Sequence, residues 1–264
     1  MPNLPPAGAN FRRGGVTHRQ RTWPCAACLA AALFLPARAD AYRPFDSTDA
    51  AVANPLELEL EVGPLDYLVL GSSSFFVIPN LVVNLGFAPG WEVVLQGEQL
   101  VRVGSTGGAP RISLENTALL VKGVLRDGCL QDAPGPSIAL ETGVLLPTVN
   151  AQQGFGGSLT LILSQRWGAV TASFDASVFV THTGSVGGEG GVIVEGPFSW
   201  TIRPVSEVVV AHGVVTAGTA YSLLVGAIWR LGEELTLDAA VRGGRDSGRT
   251  VGEFRAGFTW SIAL

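Results

Sequence analysis

Cysteine is nearly missing from the body of this chain. Of its three cysteines, Cys25 and Cys28 fall within the first 39 residues, which leaves Cys129 alone. That excludes an internal disulfide, a cysteine framework or a zinc cluster from the remaining 225 residues. Histidine is equally sparse there, with only His182 and His212, and neither has carboxylates at ligand spacing, so no metal site is expected. No stretch beyond residue 39 approaches 18 unbroken apolar residues, which excludes a membrane helix although 47% of the chain is hydrophobic. Basic residues are few: five of the 17 lie in the first 39 positions, leaving 12 against 22 acids and a formal charge of −10. Such a balance argues against nucleic acid as a partner. No glycine-rich loop follows a strand and opens a helix, so nucleotide binding has no support, and no cofactor is expected.

What is present begins with an export signal. Arg12, Arg13, Arg19, Arg21 and Arg38 occur without an acid, followed by the apolar run Cys25–Leu35 and then Ala37-Arg38-Ala39. This reads as a secretory signal peptide over 1–39, cleaved after Ala39. Residues 40–55 lack alternation and read most simply as a periplasmic N-terminal lead, with folding into a lumen as a plug left open. From residue 56 onward the pattern changes to period two. In the last run, Phe254, Ala256, Phe258, Trp260 and Ile262 occupy every second position. A strand with that pattern has one greasy face and one face fit for water, as in a lipid-facing strand of a membrane barrel.

Period-two runs between breaks rich in glycine and proline give twelve strands: 56–68, 76–87, 91–103, 111–126, 137–147, 157–167, 169–182, 191–203, 207–215, 221–231, 235–242 and 251–263. Most reach the 9–11 residues that cross a bilayer at a tilt, and their number is even. The fold expected is all-β, a closed antiparallel up-and-down transmembrane barrel over 56–264. Short turns at 88–90, Gly168, 204–206 and 232–234 alternate with glycine-rich loops at 104–110, 148–156, 183–190, 216–220 and 243–250. Nine or so residues around Cys129 are the exception on the short side.

Tryptophan favours the membrane interface. Trp91, Trp167, Trp200, Trp229 and Trp260 all lie beside a short turn or near the C-terminus with outward parity, and a periplasmic aromatic belt follows. Charges take the other face, because a charge facing lipid costs roughly 2–4 kcal/mol at the midplane. Lumen-facing candidates are Glu141, Arg166, Asp175, Glu195, Arg203, Arg230, Asp238, Arg242 and Arg255, alongside Glu92, Glu98, Arg102 and Glu253. Apolar bulk at Leu145, Ile162, Phe179, Leu224 and Ile228 shares that face. Glu115 and Lys122 have opposite parity within one strand, which calls for a bulge between them. Arg126, Arg166, Arg203 and Arg230 sit at short-turn ends, where a basic ring would attract anions.

Several short motifs occur in a familiar order. They are Arg43-Pro44-Phe45, Thr48-Asp49-Ala50, Pro79-Asn80-Leu81 with Gly86, Trp91-Glu92, Leu120-Val121-Lys122, Ser137–Glu141 leading to Leu146-Pro147, Gly226–Arg230, Leu237–Ala240 and Ala256–Trp260. In this order the chain resembles the outer-membrane channel family associated with the MetA pathway of phenol degradation. His212 stands where that family often has an acid, and Leu264 replaces its usual terminal aromatic. The resemblance implies an outer-membrane channel or transporter for small hydrophobic or aromatic compounds. The partners expected are outer-membrane lipid, the barrel-assembly machinery and such solutes. The alternatives are a non-conducting structural or adhesive barrel and, third, an outer-membrane hydrolase using His182 beside Thr181, Thr183 and Ser185. With only two histidines, the reading is of a protein that is not an enzyme.

Overall fold

A computed structural model describes residues 43–104, 110–213 and 218–264. The signal peptide expected at 1–39 lies outside them, as do parts of the loops at 104–110 and 216–220. The strand segments are β1 (Glu57–Gly63), β2 (Asp66–Leu70), β3 (Ser73–Ala88), β4 (Trp91–Val103), β5 (Ile112–Arg126), β6 (Ser137–Leu145), β7 (Gly156–Trp167), β8 (Val170–Val180), β9 (Val186–Glu195), β10 (Ile202–His212), β11 (Thr219–Arg230), β12 (Leu235–Asp246) and β13 (Arg249–Ala263). From β2 to β13 each pairs with the next, and β13 returns to β1 and β2, so the sheet has no free edge.

β1 and β2 form one stave. Against β3 their register is continuous, from Gly63↔Asn80 to Asp66↔Val77. Against β13 it slips by one residue between Val62↔Phe258 and Tyr67↔Phe254. One surplus residue therefore bulges at Gly63-Pro64-Leu65, where proline supplies no ladder donor. Pro79 lies in a matching irregularity on β3, between Val77 and Asn80. Thirteen segments thus make the twelve-stave closed barrel that alternation predicts. The bulge expected in β5 is at Asn116, whose φ is 52°; Gln96 pairs with Ala118 and Glu98 with Glu115 on either side of it.

The burial pattern is the reverse of a water-soluble protein's. On the inner face Glu57, Glu59 and Glu61 are 3%, 4% and 1% exposed, while on the outer face Leu161 is 50%, Leu223 52% and Val241 58% exposed. A continuous apolar exterior of this kind suits hydrocarbon, and closure satisfies the backbone donors and acceptors that lipid cannot. Trp91, Trp167, Trp200, Trp229 and Trp260 are all exposed and gather at the short-turn end. Trp91 lies across Gly123 on the neighbouring strand, where a Cβ would come within 2.5 Å of its ring.

Three boundaries differ from expectation. The turn placed at 204–206 is at 196–201, so Trp200 occupies a turn and not a strand, and the alternation read through 195–203 crosses a bend by coincidence. Pro204 is tolerated inside β10 because it sits at the last rung, where its carbonyl accepts from Gly196 at 2.9 Å and only a terminal donor is lost. The glycine-rich stretches at 183–190 and 243–250 are mostly strand, in β9 and β12, and leave a tight turn at Ser247-Gly248. Composition signalled loops there, but the ladder overrode it.

An outward arginine should be poorly tolerated at mid-strand. Leu161→Arg on β7 is expected to cost about 2–4 kcal/mol, seen as a lowered denaturant midpoint for protein unfolded from lipid vesicles.

Candidate functional site

The barrel interior holds the feature that sequence left undecided. The segment expected as a periplasmic lead, from Arg43 on, runs inside the barrel. A β-turn reverses the chain just before β1: Glu57 N–H donates to the Asn54 carbonyl at 3.0 Å, with Pro55 at the second position and Leu56, φ 63°, at the third. Proline second and positive φ third describe a type II turn, in which glycine or asparagine is usual at the third place. Leu56 hides the signal.

From that turn the segment travels once around the inner wall. Asn54 donates from N–H and Nδ2 to Glu57, at 2.9 and 2.7 Å. Ala53 N–H donates to Glu92 of β4 at 2.7 Å. Asp49 and Thr48 meet Lys122 of β5, at 4.0 Å from the carboxylate and 3.1 Å from Thr48 Oγ1. Ala50 packs with Ala139 and Ile162, and its N–H donates to Ser164 of β7 at 3.0 Å. Thr48 N–H reaches Asp175 of β8 at 3.2 Å, and Ser47 rests on Gly191 of β9. Asp46 and Ser47 both donate N–H to Glu207 of β10, at 2.9 and 2.7 Å. Phe45 packs on Val205 and on Ile228 of β11. Asp46 then pairs with Arg242 of β12 and with Arg255 of β13, the latter at 2.5 Å. Arg43 closes the circuit, its N–H donating to Glu61 at 3.0 Å and its guanidinium lying 3.5 Å from Asp66 and 3.4 Å from Asp238.

Twelve residues make a full turn because the dimensions match. Twelve strands spaced about 4.8 Å apart and tilted about 40° close at a radius of about 12 Å. Twelve extended residues span about 40 Å, a circle of about 6 Å radius, which leaves about one side-chain layer between ring and wall. Glycines admit the ring where that layer is too thick. A Cβ on Gly86 would lie 2.0 Å from the Asn54 carbonyl oxygen, and one on Gly191 1.9 Å from Ser47 Oγ. Cβ atoms on Gly63 and Gly257 would each lie 2.5 Å from the Arg43 guanidinium. The long connection around Cys129 folds in from the short-turn end as a clasp, with Gln131 Nε2 donating to the Ala50 carbonyl at 2.9 Å and Leu130 packing beneath Ala50.

Ala50, Glu92 and Lys122 have no exposed surface, so ring and wall are closely packed there. Asp46, on the opposite side, keeps a quarter of its side-chain surface open. Burial alone would raise its carboxyl, but Arg255 and Arg242 beside it outweigh that and hold it down to about 2. Because the folded value lies below the ordinary carboxylate value of about 4, these ion pairs stabilise fully above that value and are lost only as pH falls through about 2.

The candidate residues occupy the inner face of their strands. Asp175, Asp238, Arg242 and Arg255 contact the ring directly, whereas Glu141 does so through Lys122, its partner on the β5–β6 rung. Arg166, Arg203, Glu195 and Arg230 form a separate group at the short-turn end. There Arg203 lies 3.1 Å from Glu195, Phe198 of the 196–201 turn stacks against Arg203 and Arg166 at 4.1 and 5.1 Å, and Arg230 donates to the Phe198 carbonyl at 3.3 Å. Arg126 stands apart, donating to the Pro136 carbonyl. The expected basic ring is thus a set of side chains already engaged with turns and an aromatic. Asp66 and Glu207, which hold the ring, were absent from the candidate set; inward glycines at 63, 86, 191 and 257 were the signal that a second chain segment passes there. His182 donates from Nε2 to the Leu146 carbonyl at 3.0 Å, and His212 faces outward, bonded to Thr219 at 3.1 Å.

No family model matches this chain, and no curated protein does. The likeness to the phenol-pathway channels therefore rests on short motifs alone. Solved structures do match. The COG4313 outer membrane channel from Pseudomonas putida F1 superposes with a TM-score of 0.60 at 9% identity, over 83% of this chain and 100% of its own. The KdgM porin superposes with a TM-score of 0.52 at 11% identity, over 78% of this chain and 99% of its own. The chain has the fold of outer-membrane channel barrels.

Lys122, the only lysine, neutralises Glu92 and Asp49 where water is excluded. Lys122→Met strands those carboxylates and should cost about 3–5 kcal/mol, measured as a shift of the unfolding transition in detergent.

Proposed function

We propose that this chain is an outer-membrane channel for small, mainly apolar solutes such as aromatic compounds, exported by its leader and inserted by the barrel-assembly machinery. One observation carries the solute class. The inner wall mixes apolar and charged groups: Val94, Ala118 and Leu120 form a buried apolar patch with Val82 and Leu145 on β3–β6, beside the Glu92–Lys122 pair of the same strands, while Glu207, Arg242, Glu253 and Arg255 line the opposite side. Such a wall favours a solute with an apolar body and one polar end over a sugar or a hydrated ion, whose water it would not replace. The fold alone does not choose a function, and a non-conducting structural barrel is the second reading, supported by the close packing of ring against wall around Ala50 and Lys122. A hydrolase has weaker support, since the bond formed by His182 goes to a backbone carbonyl and not to a hydroxyl.

Single-channel recording of refolded protein separates these readings. Discrete current steps that phenol or a similar aromatic solute reduces in a concentration-dependent manner are expected. Silence at every voltage, from protein shown to be folded, would favour the structural barrel.

A further inference from the structure

The ring from Arg43 to Asn54 is held in a manner that suggests it can leave. Most of its ties use backbone N–H groups: those of Arg43, Asp46, Ser47, Thr48, Ala50, Ala53 and Asn54 donate to Glu61, Glu207, Asp175, Ser164, Glu92 and Glu57. Any extended peptide presents such donors. Phe45 is its one large apolar side chain, so little hydrophobic burial binds it, and each released amide and carboxylate would regain water. The barrel ladders are continuous without it, because no rung between staves passes through residues 43–54. It joins the wall through the Asn54–Glu57 turn, a natural pivot. The far end is pinned by side chains, Arg43 on Asp66 and Asp238, and Asp46 on Arg242 and Arg255. Those arginines remain matched after release, since Glu253 lies 2.5 Å from Arg242 and 2.9 Å from Arg255.

We propose that residues 43–54 are an exchangeable gate, and that the wall they encircle is a binding site for an extended peptide, filled at rest by this chain's own segment. The inference rests on the channel reading and adds its regulation. At rest the ring narrows the lumen at the level of Ala50 and Lys122; swinging about the Asn54–Glu57 turn clears that level and bares Glu61, Glu92, Asp175 and Glu207. A second extended peptide bearing an acid at the position of Asp46 would fit the same cradle and close the channel again.

Three proteins test this in planar bilayers: the full mature chain, the chain lacking residues 43–54, and Ser47→Cys/Gly191→Cys in a Cys129→Ser background. That pair can be joined once ring and wall part by about 1 Å, since a Cβ on Gly191 would lie 2.9 Å from that of Ser47, whereas a disulfide holds its Cβ atoms about 3.8 Å apart. The deletion should raise the open fraction at least tenfold. A synthetic peptide of residues 43–54 should close it, and the same peptide carrying Asp46→Asn should need at least tenfold more. The oxidised double-cysteine protein should stay shut and regain gating on reduction. If the deletion conducts no more than the full chain, or the oxidised lock conducts like the reduced form, the gate is refuted while the channel stands. Absence of current from all three removes the channel reading and the gate with it. Should the deletion fail to fold, the lock alone decides.

Discussion

Acid inside the barrel must find hydrogen. The inner wall carries more carboxylates than cations, and β1 alone presents Glu57, Glu59 and Glu61 without a base. A buried carboxylate is tolerated only when paired or hydrogen-bonded. Arg242, Arg255, Arg203 and Lys122 serve some of them, and the amides of residues 43–54 serve Glu57, Glu61, Glu92, Asp175 and Glu207. The ring is in turn held because those carboxylates are there. That reciprocal satisfaction lets a dense acid lining and an irregular segment coexist at membrane depth, where non-helical, non-ladder backbone is tolerated only inside protein or along a water-filled cavity.

The wall and the ring are adapted to one another at specific positions. Gly63 and Gly257 open a notch beside the Gly63-Pro64-Leu65 bulge, and the Arg43 guanidinium fills it from within. There the Ala256 N–H donates to the Asp66 carboxylate at 3.0 Å. A weak place in the ladder is therefore repaired by side chains, and Arg43 both plugs the notch and neutralises Asp66 and Asp238. The apolar patch of Val94, Ala118 and Leu120 begins one inward rung beyond the Glu92–Lys122 pair of this polar circuit.

Much of the wall was legible in residue order. Alternation at Leu56–Val62, in Val170–Ser177 and in Phe254–Ile262 marks strands, and parity assigns their faces, because a barrel in lipid imposes one rule on every stave. The clash of parity between Glu115 and Lys122 called for a bulge between them, and the ladder has it at Asn116. Errors arose where local composition imitated another element. Gly187, Gly188 and Gly190 read as a loop, yet they are strand, continuous with Gly191, which is glycine where Ser47 lies against it. Residues 195–203 alternate through a turn, since nothing in a bend prevents polar and apolar residues from taking turns.

Period-two patterning, the scarcity of cysteine and the one-sided placement of tryptophan determined by themselves that this chain is an all-β barrel with its apolar face outward. Each of those signals is local: every residue need only report which side of the sheet it faces. The path of residues 43–54 was decided only by the tertiary structure. Apart from the Asn54–Glu57 turn, its ties to the wall join positions 18 to 211 residues apart, as with Arg43 to Glu61 and Pro44 to Arg255, and it presents mainly backbone amides, which all sequences share. No periodicity can announce a segment whose partners are dispersed around a closed wall and whose donors carry no residue identity.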